Sequence, residues 1–236
     1  MDASELRDLD PFDIFDAEAE RLDRFFASLD GAEWDRPSRC AGWSVRDVLA
    51  HLAGEEAYNH ACLDDDVQGL FNRLAAEGLT GGGLADFNEW CVRQRRDLPV
   101  GRVLEEWRAA NAETRRRMRE RGRGAELQTF VGQYPVGLQT FHYASEFATH
   151  ADDVGVPVQR DEEPGRTRWR ARFGRFALDE AGSSARVEPA GDGYRVRLDG
   201  TEAELPERDF VEATVDRLPA DHPLGPTLRE ALRCLA

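Results

Sequence analysis

The sequence has no apolar stretch long enough to cross a membrane. A membrane-spanning helix needs about 18 or more consecutive apolar residues, whereas 33% of the 236 residues here are charged and interrupt every apolar run before that length. The N-terminal segment is acidic from Asp2 onward and has neither a basic region nor an apolar core, so it is not typical of a secretory signal. We therefore expect a cytoplasmic protein without a membrane partner.

The sequence also has no closely spaced pair of cysteines, and it has no lysine. None of the four cysteines belongs to a C-x-x-C pair, which favours reduced thiols over disulfides or a zinc ribbon. All 31 basic residues are arginine and Ile14 is the only isoleucine, a bias that a GC-rich genome explains better than function does. The cysteines are Cys40, Cys62, Cys91 and Cys234.

Basic residues are outnumbered by 46 acidic residues, which gives a net charge of −15. A field of that sign repels phosphate backbones and anionic lipids, so the composition argues against a nucleic-acid partner. Arginines do cluster from Arg108 to Arg123, but acidic residues are interleaved with them. This cluster predicts a solvated helix face rather than a phosphate-binding surface.

Apolar residues recur at helical spacing in four segments before Pro157. Ser44 and Asp47 resemble a capping box at the start of the second segment. Four helices that are each apolar on one side predict a mainly α protein whose first domain, residues 1–157, is an up-and-down four-helix bundle. The predicted helices are Phe12–Leu29, a helix starting near Ser44, Leu84–Arg121 with a possible break at Leu98–Pro99, and Leu138–Val154. Loops are expected between them, including one through Gly132, Pro135 and Gly137.

The composition changes after Pro157, which predicts a second, smaller domain over residues 158–236. Two short alternating runs, Ala185–Val187 and Tyr194–Leu198, flank the turn sequence PAGDG and indicate a β-hairpin. Two short helices are expected over Glu207–Leu218 and Pro226–Leu235. We therefore predict a small α+β unit at the C-terminal end.

Three side chains on two predicted helices have the spacing of a metal site. His51 lies on the apolar side of the second helix, and Glu146 and His150 lie one turn apart on the fourth. Together they can supply three ligands and leave a position open for water or substrate, which is typical of catalytic sites. On spacing alone, an ordinary Glu–His helix pair and a core histidine are the commoner interpretation.

Other residues are candidates for supporting roles. His60 and His142 are further possible ligands, and His142 could equally be a proton carrier or a half-exposed polar residue. Tyr134 is a second candidate for proton transfer. Cys40 could be a reactive thiol or a ligand, but a small buried residue is the favoured interpretation.

Two runs of sequence resemble the signatures of a known family. CAGWSVRDVLAHLAG, from Cys40 to Gly54, and FATHADDVG, from Phe147 to Gly155, resemble the two motifs of the mycothiol-dependent maleylpyruvate isomerase-like family (N-terminal domain), within the DinB-like metalloprotein superfamily. The resemblance covers roughly residues 10–157 and implies a DinB-like four-helix bundle. It also implies that His51, Glu146 and His150 bind a divalent metal, usually zinc, although nickel or iron also suits these ligand types.

The resemblance further implies a metal-dependent and mycothiol-dependent enzyme, with mycothiol as thiol cofactor or cosubstrate. A metal-bound thiolate would attack a small electrophile, either for S-transfer or for cis–trans isomerisation. Family members often carry an Arg shortly before the second-motif Glu, whereas this chain has FHYAS there, Phe141–Ser145. Substrate residues of the isomerases are also not traceable in the C-terminal unit, so S-transfer is slightly favoured.

Within this expected site, His142 and Tyr134 are the candidates for catalytic proton transfer, and Asp153 either orients His150 or caps a neighbouring element. Two alternatives stay open. The chain could be a metal-dependent hydrolase using metal-bound water, or a non-catalytic binding or regulatory module with a vestigial metal site.

Overall fold

The computed structural model describes residues 3–79 and 83–235, and these residues form a mainly helical protein. They contain nine α-helices and five short β-strands. The prediction of a mainly α chain with a small antiparallel sheet in its C-terminal part is confirmed. None of the described helices combines the length and apolar character needed to cross a membrane.

Two compact units make up the fold. One is Pro11–Val156, and the other combines the described residues before Pro11 with those from Pro157 onward. The helices of the first unit are α1 (Pro11–Ser28), α2 (Val45–Leu63), α3 (Val67–Ala76), α4 (Leu84–Arg95), α5 (Val100–Arg121) and α6 (Val136–Val154). Between α5 and α6, β1 (Glu126–Thr129) and β2 (Gly132–Pro135) form an antiparallel hairpin.

The start of α2 follows the predicted capping box. The Ser44 hydroxyl accepts a hydrogen bond from the backbone N–H of Asp47, and the Asp47 carboxylate accepts one from the backbone N–H of Ser44 at 2.9 Å. Two N–H groups that the helix cannot satisfy are thereby paired. Gly42 precedes this cap with a φ of 81°, in the left-handed region that glycine adopts without strain. These local contacts set where α2 begins and so where its later residues point.

The structure contains the predicted helix break and also elements that the sequence did not indicate. The stretch Leu84–Arg121 is divided into α4 and α5 at the predicted break near Leu98–Pro99, because Pro99 disfavours a helical conformation at Leu98 and cannot donate a backbone hydrogen bond. The short helix α3 was not predicted. The expected loop through Gly132 and Pro135 contains the β1–β2 hairpin instead.

Aromatic side chains from three helices meet in the core of the first unit. The ring of Phe147 on α6 packs edge-on against Phe15 of α1, with centroids 5.0 Å apart, and lies 6.0 Å from the ring of Trp107 on α5. Trp107 in turn packs edge-on against Phe26 of α1. All four side chains are almost completely buried. This cluster fixes α6 against α1 and α5.

The arginines of α5 face acidic side chains rather than forming a free basic surface. Arg115 and Arg119 pair with Asp16 of α1 at 2.5 and 2.7 Å, and Arg121 pairs with Asp65 at 3.0 Å. Arg116 and Arg119 are about half exposed, in line with the predicted solvated face, but the sequence did not indicate these contacts between elements. Such exposed pairs stabilise a fold by only about 0.2–1 kcal/mol each.

The second unit combines helices with a three-stranded sheet. Its elements are α7 (Glu163–Glu180), β3 (Arg186–Ala190), β4 (Gly193–Leu198), β5 (Thr201–Pro206), α8 (Glu207–Thr214) and α9 (Pro226–Leu232). The strands are antiparallel in the order β3–β4–β5, so the predicted hairpin is present. The sequence missed α7 and β5, and the predicted helix over Glu207–Leu218 ends at Thr214.

The segment before α1 belongs to this second unit. A 3₁₀-helix, Ser4–Leu6, packs against α7, where Glu5 forms a 2.7 Å ion pair with Arg175 and Asp8 pairs with Arg172. The predicted first domain, residues 1–157, included this segment. The sequence showed no sign of the pairing, because its partners are more than 160 residues apart.

Candidate metal centre

The predicted ligand residues come from the middle of α2 and the C-terminal half of α6. His51 is 1% exposed and His150 is 7% exposed, so both imidazoles are buried. Glu146 lies one turn before His150, and 34% of its side chain is exposed. Glu146 is therefore the residue of this group that faces solvent.

One carboxylate oxygen lies between the two imidazoles. Oε1 of Glu146 is 3.0 Å from Nε2 of His51 and 3.2 Å from Nε2 of His150. The candidate ligand atoms of these three residues all lie within 4.8 Å of one another. The structure thus brings together the three residues that spacing and family resemblance selected.

The other nitrogen of His150 faces Asp153 and Cys40. Nδ1 of His150 is 3.2 Å from Oδ2 of Asp153, the orienting contact that the sequence left open for this residue. The Cys40 thiol donates to the same carboxylate oxygen at 3.1 Å, and its sulfur is 3.7 Å from Nδ1. Cys40 was favoured as a small buried residue, but it is half-buried and contacts polar groups. Cys40, His150 and Asp153 form a second cluster of possible ligands that shares His150 with the first.

The two histidines differ in how their Nδ1 atoms are satisfied. Nδ1 of His51 is buried and has no hydrogen-bond partner among the described residues. The ring of Trp43 packs over His51 with centroids 5.2 Å apart, while the Trp43 indole N–H donates to Glu89 at 3.2 Å. His51 is therefore held by packing and by one polar contact, through Nε2 to Glu146, whereas both nitrogens of His150 have polar contacts.

A fourth ionisable side chain near the cluster was not singled out from the sequence. Glu55 lies one turn after His51 on α2, and its Oε2 atom is 3.8 Å from Nε2 of His51. That oxygen is buried without a hydrogen-bond partner among the described residues. The sequence signal for Glu55 was its position four residues after His51. Glu146 and His150 have the same spacing.

Burial and neighbouring charges set the ionisation of the cluster. Burial lowers the pKa of His51, and burial together with the charge of Glu146 raises the pKa of Glu55 well above its ordinary value. Burial also acts on Glu146, but hydrogen bonds from His150 and His51 outweigh it and lower the pKa of that carboxyl. Burial disfavours the charged form of His150, yet its contacts with Asp153, Cys40 and Glu146 raise its pKa. Without a metal, the cluster therefore contains an ionised Glu146 beside a protonated His150.

The other candidates lie outside this cluster. The Tyr134 hydroxyl is 3.4 Å from Nε2 of His142, so the structure pairs the two residues proposed for proton transfer with each other. His142 is half-buried on α6, one turn before Glu146. Nε2 of His60 is 3.1 Å from the backbone oxygen of Ala110. Among the described residues, neither His60 nor His142 joins a group of possible ligands, so His60 is not supported as an alternative ligand.

Two imidazoles and a carboxylate projecting inward from two helices are typical of helical metalloproteins. Residues 15–155 match the family described as the mycothiol maleylpyruvate isomerase N-terminal domain. The chain belongs to this family, which confirms the resemblance seen in its two motifs, and the matched range includes His51, Glu146 and His150. No curated protein and no solved structure matched the chain.

Proposed function

We propose that the chain is a metal-dependent and mycothiol-dependent enzyme whose metal is held by His51, Glu146 and His150. The observation that carries this proposal is the convergence of two imidazole Nε2 atoms, from different helices, on one oxygen of Glu146. Imidazole nitrogen with one carboxylate is a donor set that suits Zn²⁺, and three protein ligands leave a position for an exogenous group. Zinc is therefore the cation we propose.

A divalent cation held here would favour the thiolate form of mycothiol and keep its sulfur in place for attack on a small electrophile. The protein supplies the positioning. Nδ1 of His150 lies 3.2 Å from the Asp153 carboxylate, and this contact fixes the ring with Nε2 facing Glu146 and the site. The partly exposed Glu146 leaves one side of the site accessible to both small molecules.

Two reactions fit a positioned thiolate. The sulfur can displace a leaving group and remain bonded to the product as an S-conjugate, or it can add reversibly to an activated double bond and permit cis–trans rotation before it leaves. We favour S-transfer slightly, because the substrate residues of the isomerases are not traceable in the C-terminal unit. The contact between Tyr134 and His142 supports a role for this pair in moving a proton to or from the substrate.

The proposal extends to the architecture. We propose that α1, α2, α5 and α6 form a DinB-like up-and-down four-helix bundle, since α1 packs against α6 and α2 packs against α5. We also propose that the two compact units are two domains divided near the predicted boundary at residue 157, with the described segment before Pro11 assigned to the second domain and the site in the first. We also propose a cytoplasmic location, which the scattered cysteines support because their spacing favours reduced thiols.

The test offers zinc-loaded protein a panel of small electrophiles, maleylpyruvate among them, with mycothiol, with cysteine and without thiol. We expect consumption of the electrophile only with mycothiol, and its loss in a His51→Ala/His150→Ala double variant. His60→Ala is the matched control, because His60 lies on α2 but contacts the backbone of α5. Turnover without thiol would support the hydrolase alternative, and binding of ligands without turnover would support the non-catalytic module.

A further inference from the structure

The second cluster of possible ligands uses a different face of His150 from the proposed metal centre. Sγ of Cys40, Nδ1 of His150 and Oδ2 of Asp153 all lie within 4.8 Å of one another. Nε2 of the same histidine faces Glu146 instead. The second cluster therefore needs a nitrogen of His150 that the proposed centre does not use.

The distances within the second cluster are close to those between ligands of one cation. Sγ of Cys40 is 3.7 Å from Nδ1 of His150 and 3.1 Å from Oδ2 of Asp153, and the last two atoms are 3.2 Å apart. Zinc binds sulfur at about 2.3 Å and nitrogen or oxygen at about 2.0–2.2 Å, so neighbouring ligands of a tetrahedral ion lie about 3.4–3.6 Å apart. Shifts of about half an ångström or less would give all three separations these values.

Two segments of the chain supply the second cluster. Cys40 lies in the loop before α2, whereas His150 and Asp153 lie three residues apart on α6, which places their side chains on one face of the helix. The backbone N–H of Arg39 donates to the carbonyl oxygen of Asp153 at 3.0 Å and holds the loop against α6. The place of Cys40 in the cluster is therefore fixed by the neighbouring backbone as well as by its own side chain.

The donor atoms of the second cluster favour zinc. A thiolate with an imidazole nitrogen and a carboxylate suits Zn²⁺ and its substitute Co²⁺, whereas Mg²⁺ and Ca²⁺ prefer oxygen ligands. A neutral imidazole that binds a cation through Nε2 carries its proton on Nδ1. The cluster then holds two protons, one on Nδ1 of His150 and one on the thiol of Cys40. Their release as a divalent cation binds leaves the charge of the cluster unchanged.

We infer that Cys40, His150 and Asp153 form a second zinc site, which His150 joins to the proposed centre through its two ring nitrogens. The proposed centre keeps its three ligands and its open position, because the second site takes none of the atoms assigned to it. The inference rests on the proposed function only in that the two sites share His150. A cation in the second site would tie the loop before α2 to α6.

The test counts bound metal and does not depend on turnover. Metal-free protein is titrated with Zn²⁺ and with Co²⁺, the bound ions are counted after free metal is removed, and the near-ultraviolet absorption of thiolate-bound Co²⁺ is recorded. Cys40→Ser and Cys40→Ala remove a ligand from the second site alone, and His51→Ala removes one from the proposed centre alone. Cys234→Ser is the matched control, since Cys234 is also half-buried but lies in the second unit. Circular dichroism checks the fold of each variant.

We expect the wild-type protein and Cys234→Ser to bind two ions and to show the thiolate absorption with Co²⁺. Both Cys40 variants should keep one ion and lose that absorption. His51→Ala should also keep one ion, but with the thiolate absorption intact. The two kinds of variant thus lose different ions.

A single ion in the wild-type protein without thiolate absorption would overturn the inference, and its loss in His51→Ala would leave the proposed centre standing. Thiolate absorption that survives in both Cys40 variants, or that disappears in His51→Ala, would overturn the inference as well. If His51→Ala changed nothing while the Cys40 variants lost their ion, the proposed centre would be refuted and the second site would stand. The absence of any bound ion would refute both.

Discussion

The carboxylate of Asp153 bridges the Nδ1 atom of His150 and the thiol of Cys40, with contacts of 3.2 and 3.1 Å to one oxygen. Asp153 is almost completely buried near the C-terminal end of α6, and the backbone N–H of Arg39 donates to its carbonyl oxygen at 3.0 Å. One residue thus fixes the orientation of His150 and joins the loop before α2 to α6. A carboxylate that accepts from a ligating histidine raises the basicity of that histidine and fixes its tautomer.

Replacing this carboxylate should weaken metal binding without unfolding the protein. For Asp153→Asn we predict a loss in Zn²⁺ affinity of about 10- to 100-fold, because the amide is a weaker acceptor for Nδ1–H. Competition titration measures the effect. Asp152→Asn, at the adjacent half-buried position, is the control. Equal affinities for the two variants would show that Asp153 does not act through His150.

Native cysteines should react with an alkylating reagent in an order set by burial. Burial raises the pKa of Cys62 to about 11 and that of Cys91 to about 12, and both side chains are inaccessible. Cys40 is half-buried beside polar groups. We predict that iodoacetamide near neutral pH labels Cys40 before Cys62 and Cys91, as peptide mass spectrometry would show. Faster labelling of Cys62 would contradict the complete burial of its side chain.

The aromatic core beside Glu146 should dominate the stability of the first unit. We predict that Phe147→Ala lowers the free energy of unfolding by about 3–5 kcal/mol, because it removes contacts with Phe15 and Trp107 and leaves a cavity. Phe130→Ala is the matched control, since its ring is 70% exposed at the β1–β2 turn, and it should change stability by less than about 0.5 kcal/mol. Denaturant-induced unfolding measures both.

The capping box of α2 should make a contribution to stability that depends on pH. Burial raises the pKa of Asp47, but hydrogen bonds from Ser44 and the neighbouring Arg96 outweigh it and lower that pKa below its usual value of 3.8. A carboxyl whose folded pKa is depressed stabilises the fold above its unfolded pKa and loses that contribution as pH falls through the folded pKa. At neutral pH, Asp47→Asn should cost about 0.5–2 kcal/mol, the range for a lost cap.

The cost of Asp47→Asn should shrink as the pH falls below about 4, because the wild-type carboxyl then becomes protonated. Urea unfolding curves of both proteins across this pH range give the difference. Exposed Asp86, at the corresponding position of α4, is a comparison in which Asp86→Asn should have a smaller effect. A cost that stays constant down to low pH would show that the charge of Asp47 does not stabilise α2.

Sequence reasoning succeeded where the determining contacts are local. Ser44 and Asp47 are three residues apart, and Glu146 and His150 are one helical turn apart, so spacing alone indicates that each pair can interact. The division at Pro99 has the same local origin. The two family motifs then supplied the association between α2 and α6 that no local pattern contains.

The remaining features depend on contacts between distant segments. Glu55 and Glu56 are adjacent acidic residues in the sequence, and only the approach of α5 gives Glu56 the side-chain donors Asn111 and Thr114. The polar surroundings of Cys40 depend on Asp153, which is 113 residues away. The hairpin β1–β2 was missed because its strands have four residues each, too few for a clear alternation.

The contact between His51 and Glu146 joins residues that are 95 positions apart, with α3, α4, α5 and the hairpin between them. Neither α2 nor α6 carries all three proposed ligands. The group therefore forms only when the two helices lie together in the folded chain. In an unfolded chain the same side chains are separate, weak ligands. A cation that binds the assembled group therefore discriminates between folded and unfolded molecules, and its concentration shifts the folding equilibrium by mass action.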